Sequence, residues 1–88
     1  MQSIPFTLYS RSYCHLCEDM LQALLALQRP GEHFEVAVID VDADPALVAR
    51  FDELVPVLFG DPGAAELCHY FLDPAAARGW VGACTQAA

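Results

Sequence analysis

An amphipathic helix pattern lies between two strand-like runs, and this arrangement restricts the fold more than any other feature of the sequence. Ile4 to Tyr9, IPFTLY, and Phe34 to Val41, FEVAVIDV, are rich in β-branched and aromatic residues, as strands are. Between them, from Cys14 to Gln28, the apolar residues Cys17, Met20, Leu21, Leu24 and Leu27 recur at the spacing of one helix face. Arg29-Pro30-Gly31 ends that helix. Two strands joined through a helix lie parallel, with a right-handed crossover. The dense apolar run of the second predicts a buried strand. Pro5 belongs near the start of its strand, or where the ladder needs no donor.

The second half adds a different connection. Asp44-Pro45 matches a helix start, with Asp as N-cap and Pro at the first helical position. Leu47, Val48 and Phe51 give that helix a short apolar stripe. Val55 to Phe59 reads as a strand, Gly60-Asp61-Pro62-Gly63 as a turn, and Glu66 to Leu72 as a strand returning antiparallel. Asp73-Pro74 starts a last helix, which Gly79 and Gly82 weaken. The order is β-α-β-α-β-β-α, an α/β fold with a mixed four-stranded sheet flanked by helices. At 88 residues there is room for one domain. It is expected to span residues 1–84, with Thr85 to Ala88 a frayed tail.

Charge and hydropathy exclude some functions. Four arginines, no lysine and 12 acidic residues give a formal charge of −8. Nucleic-acid binding needs a basic footprint, and so does an anionic membrane surface. No apolar run approaches the roughly 20 residues of a membrane span. The opening MQSIPFTLYS is too short and polar for a secretory leader. A reducing, cytoplasmic location is therefore expected. There, a Cys-x-x-Cys pair points to redox chemistry or metal binding rather than a permanent staple.

Cys14 and Cys17 open the first helix directly after the first strand. A helix N-terminus offers unpaired N–H groups and the positive end of the dipole. A thiolate there is stabilised, and its pKa falls below the free value of about 8.5. Cys14, at the very end, is the candidate nucleophile. Cys17, about one turn deeper, is placed to resolve a mixed disulfide. Arg11 adds positive charge nearby. Glu18 and Asp19 suit the first turn but oppose the thiolate if they point at it. His15 either supports the thiolate or is a solvated side chain.

Other readings compete. Cys14, His15, Cys17, Cys68 and His69 are potential zinc ligands, but neighbours on a strand point to opposite faces, which disfavours a closed site. A cluster of iron and sulfur shared by two chains through Cys14 has no specific support. A non-catalytic interaction module is the third alternative. Cys68 reads as a small core hydrophobe, Cys84 as an exposed thiol, and His33 as solvated. Trp80 and Val81 seal the last helix onto the sheet or, for Trp80, line a groove. Tyr13 either lines a groove or covers the loop. Local sequence favours a trans Val55–Pro56 bond.

The dithiol at a strand–helix junction, the element order and the strand LVPVLF together resemble the glutaredoxin branch of the thioredoxin-like fold. Most closely, the chain is similar to the small bacterial glutaredoxin-like proteins (DUF836), from about Ile4 to Val81. The resemblance implies thiol–disulfide oxidoreductase activity with Cys14 attacking and Cys17 resolving. It implies a cis proline at Pro56 facing the dithiol. It also implies backbone pairing between Val55 and an extended substrate, and Arg11 matches the family's usual lysine upstream of the dithiol. No bound cofactor is required, and a monomer is expected. Partners would be a disulfide-containing protein or glutathione, with glutathione or a reductase as electron source. The chain departs from glutaredoxins where their Gly-Gly pair should fall, near Cys68-His69. Side chains there crowd the approach of glutathione.

Overall fold

The computed structural model describes residues 2–86. Its elements are β1 (Gln2–Ser10), α1 (His15–Leu25), β2 (Glu32–Asp40), a short 3-10 turn (Val41–Ala43), α2 (Pro45–Phe51), β3 (Val57–Phe59), β4 (Cys68–His69) and α3 (Pro74–Gln86). The four strands form one sheet in the order β2-β1-β3-β4. β1 runs parallel to β2 and antiparallel to β3, and β3 runs antiparallel to β4. This is the mixed four-stranded sheet that the element order predicts, in the thioredoxin-like arrangement that the resemblance implies. Among the described residues no helix is long and apolar enough to cross a membrane.

Strand alternation sorts the core into two layers. Ile4, Phe6 and Leu8 of β1, with Leu58 of β3, meet Met20 and Leu24 of α1 and Ala77 and Val81 of α3 on one face. Tyr9, Val57 and Phe59 meet Phe51 of α2 on the other. There Tyr9 stacks on Phe51 at 4.5 Å between ring centroids and meets Phe59 edge-on at 5.5 Å.

The two Asp-Pro helix starts form as expected. Asp44 accepts from the Ala46 N–H at 2.9 Å, and Asp73 from the Ala76 N–H at 3.1 Å. Each satisfies an N–H that the first helical turn leaves unpaired. α3 runs through both of its glycines because Ala77 and Val81 are fully buried against the sheet. It also takes in Thr85 and Gln86, expected as tail; Ala87 and Ala88 lie outside the described residues. α1 is shorter than its apolar pattern, ending at Leu25 with Ala26 as C-cap.

Three expectations about strands change. β2 is parallel to β1, but it is an edge strand rather than a buried one. Of its side chains only Phe34 is buried, and Val38 is 52% exposed. β1 lies inside the sheet, and among the described residues no strand pairs with the outer side of β2. The return strand expected over Glu66 to Leu72 pairs only at Cys68–His69, because the chain turns at Tyr70, which has a positive φ of 64°. β3 likewise starts two residues later than expected. Pro5 lies inside β1, beyond the part that pairs with β3. There its carbonyl accepts from the Trp80 indole N–H at 2.7 Å. α3 thus covers the stretch of β1 where a ladder donor is missing.

Candidate active site

Three segments meet at the end of the sheet where β1 stops. β1 leads into the loop Arg11 to Tyr13 and then α1. Tyr9 pairs with Val57, so Val55–Pro56 lies alongside the end of β1. Tyr70, just after β4, donates its N–H to the Pro56 carbonyl at 2.9 Å.

Cys14 is the N-cap of α1, with extended backbone angles. Its sulfur accepts from the Cys17 N–H at 3.1 Å, where a serine or aspartate oxygen usually sits. Cys14 and Cys17 are joined as a disulfide, with Cα atoms 5.2 Å apart. They differ in access. Cys14 is half-buried, whereas Cys17 is 4% exposed and packs on the inner face of α1 with Met20 and Leu24. The outer sulfur can be reached from solvent; the inner one can be reached most directly by its partner.

The remaining residues singled out from sequence divide. The Val55–Pro56 bond is cis, as the resemblance implies and against the local-sequence expectation; the surrounding fold, not the neighbouring residues, selects the isomer. Pro56 is buried and Val55 half-buried. Among the described residues, the backbone N–H and C=O of Val55 have no hydrogen-bond partner. Tyr13 has a positive φ of 59° and its side chain stands fully in solvent. His15 is exposed. Arg11 does not point its charge at open space. Its guanidinium bonds the Asp42 carboxylate at 3.0 Å, and the Asp52 carboxylate and carbonyl at 3.1 and 3.2 Å. These partners raise the Arg11 pKa and tie the loop before the dithiol to both ends of the α2 region.

Cys68 and His69 point to opposite sides. Cys68 packs against the α1–α3 core and burial pushes its thiol pKa up. His69 is exposed and pairs with Glu66 at 2.7 Å. Among the described residues, no three His, Cys, Asp or Glu side chains converge as metal ligands. Cys84 is half-buried rather than fully exposed, and burial raises its pKa too. Trp80 seals α3 onto the sheet.

Sequence reasoning missed an apolar groove of about 300 Å³ beside the dithiol. Leu16, Met20 and Ala23 of α1 form one wall, and Tyr70, Phe71 and Leu72 the other. The run His-Tyr-Phe-Leu reads as strand, and only the turn at Tyr70 swings these side chains towards α1.

The comparisons agree with this geometry. A family model described as a glutaredoxin-like domain (DUF836) matches residues 6–81. The solution structure of protein Ne2328 from Nitrosomonas europaea is 40% identical, with a TM-score of 0.72 over 90% of this chain and 87% of that one. The X-ray structure of target protein XcR50 from X. campestris is 36% identical, with a TM-score of 0.64 over 89% of this chain and 96% of that one. No curated protein gives a significant match.

Proposed function

Given that the chain belongs to the glutaredoxin-like (DUF836) domain family, we propose that it is a thiol–disulfide oxidoreductase acting through Cys14 and Cys17. The observation that carries this reading is the pair itself. A half-exposed sulfur caps a helix N-terminus, bonded to a buried sulfur three residues on. Unpaired N–H groups and the helix dipole favour a thiolate at Cys14 in the reduced form.

The Cys14 thiolate attacks one sulfur of a substrate disulfide, forms a mixed disulfide and expels the other sulfur as thiolate. Cys17, once deprotonated, attacks the Cys14 sulfur. This releases the second substrate thiolate and leaves Cys14–Cys17 oxidised by two electrons. Two glutathione molecules, or one dithiol reductase, return those electrons. The unpaired N–H and C=O of Val55 would hold an extended substrate backbone by adding a strand. A reducing compartment such as the cytoplasm suits this chemistry. A monomer suffices for it.

The test is the mass of the protein after equilibration across ratios of reduced to oxidised glutathione, with acid quench and alkylation. A loss of two protons mapped to Cys14 and Cys17, titrating within the range, is expected. Cys17→Ser should trap an adduct on Cys14. Thiols that stay fully alkylatable at every ratio would overturn the reading.

A further inference from the structure

The groove beside the dithiol points to a substrate class. We infer that it docks an apolar segment of a protein disulfide with a basic residue beside it, and that such proteins, rather than glutathione disulfides, are what the dithiol reduces. This rests on the oxidoreductase reading above.

One wall begins at Leu16, which lies between the two cysteines, so a segment seated in the groove delivers its neighbouring sulfur to Cys14. Its volume of about 300 Å³ is at the lower end for ligand sites, enough for an apolar side chain or two. Phe71 is 70% exposed, and Leu16 and Tyr70 each 37%. Large apolar groups exposed together around a concave site mark an interaction surface rather than a core. The Tyr70 turn is held open against its own preference. A bulky residue at φ 64° is strained, and its N–H bond to Pro56 and its edge-on contact with His69 at 4.8 Å hold it there.

Charge decides between occupants. Asp19 lines the groove and Glu18 is exposed next to it. None of the four arginines lines it. Arg11 is bound by Asp42 and Asp52, and Arg78 by Glu32. Arg50 lies over the rings of Phe51 and Phe59, and Arg29 follows the far end of α1. Glutathione brings carboxylates, and among the described residues no arginine lines the groove to receive them. An apolar segment carrying a lysine or arginine complements both its walls and its acid.

The test uses reduced protein and short cysteine peptides activated as 2-pyridyl disulfides. Cys14 attacks the peptide sulfur and the released pyridinethione is read by absorbance. A Leu-Phe-Lys flanked peptide should react about tenfold faster than Ser-Ser-Glu and glutathione counterparts, each normalised to neutral dipyridyl disulfide. Phe71→Ser, at a side chain that is 70% exposed, should bring that ratio near one. A second measurement needs no chemistry: Cys14→Ser/Cys17→Ser protein is titrated with the cysteine-to-serine apolar peptide. Amide shifts at Leu16, Ala23, Tyr70 and Phe71 are expected. Equal normalised rates, or absent shifts, overturn the inference. Shifts without any reaction of the native dithiol support the groove and overturn the oxidoreductase reading it serves. Shifts of the same amides with protein concentration alone assign the groove to a second copy of the chain and overturn the peptide proposal.

Discussion

Four cysteines in one small domain meet different surroundings, and reactivity should follow those surroundings. Burial raises the pKa of Cys68 and Cys84, so at a given pH less of each is thiolate, the only form that alkylates. Cys14 caps a helix and is partly open to solvent. In the reduced protein, iodoacetamide near neutral pH should label Cys14 first. Labelling of Cys68 and Cys84 should rise only at higher pH, as peptide mapping by mass spectrometry across pH would show. If Cys68 labels first, the burial argument fails. The cysteine spacing was legible because helix period and N-terminal chemistry are both local. The partners of Arg11 were not, because Asp42 and Asp52 lie 31 and 41 residues away along the chain. Nor does any local pattern announce a positive φ at a tyrosine.

Elements were legible where their ends carry their own chemistry. The two Asp-Pro starts are of this kind, and Asp44→Ala should cost about 1 kcal/mol in denaturant unfolding by removing the bond to the Ala46 N–H. The burial of β2 was not legible, because an apolar run does not say which neighbours will cover it. Contact between α3 and the sheet is equally non-local, and it is tight. A Cβ on Gly60 would overlap the Trp80 indole, which also bonds the Pro5 carbonyl. Gly60→Ala should therefore destabilise by about 1–3 kcal/mol and shift the emission of the chain's single tryptophan. An unchanged midpoint and spectrum would mean that α3 moves away without penalty. The same helix is clasped to β2 through Arg78 and Glu32 at 2.8 Å, and Arg78 holds the Glu32 carboxyl below its usual pKa. A lowered carboxylate pKa contributes stability above the unfolded value, lost as pH falls through the folded one. Glu32→Gln should be less stable than the native protein at pH 7. That difference should close as acid carries the native carboxyl through its lowered pKa.

At the scale of the whole molecule, net charge acts on every encounter with a substrate. A charge of −8 sits on a body whose Cα atoms span 36 × 24 × 19 Å. At about 10 mM salt the screening length is about 30 Å, so the site feels nearly all of that charge. At about 150 mM it falls to about 8 Å, well inside the smallest dimension, and only the nearest groups count. Glutathione disulfide, an anion, is repelled at low salt; a peptide disulfide bearing lysine is attracted. Raising the salt across that range should speed the first reaction several-fold and slow the second, leaving neutral hydroxyethyl disulfide unchanged. Stopped-flow rates with the reduced protein would show it. If the glutathione rate does not rise, charges nearest the dithiol outweigh the net charge, and Asp19, which lines the groove, and Glu18 beside it in sequence become the residues to neutralise next. If both charged substrates respond in opposite directions, the acidic surface is itself part of the substrate preference, selecting at long range what the apolar groove then holds at short range.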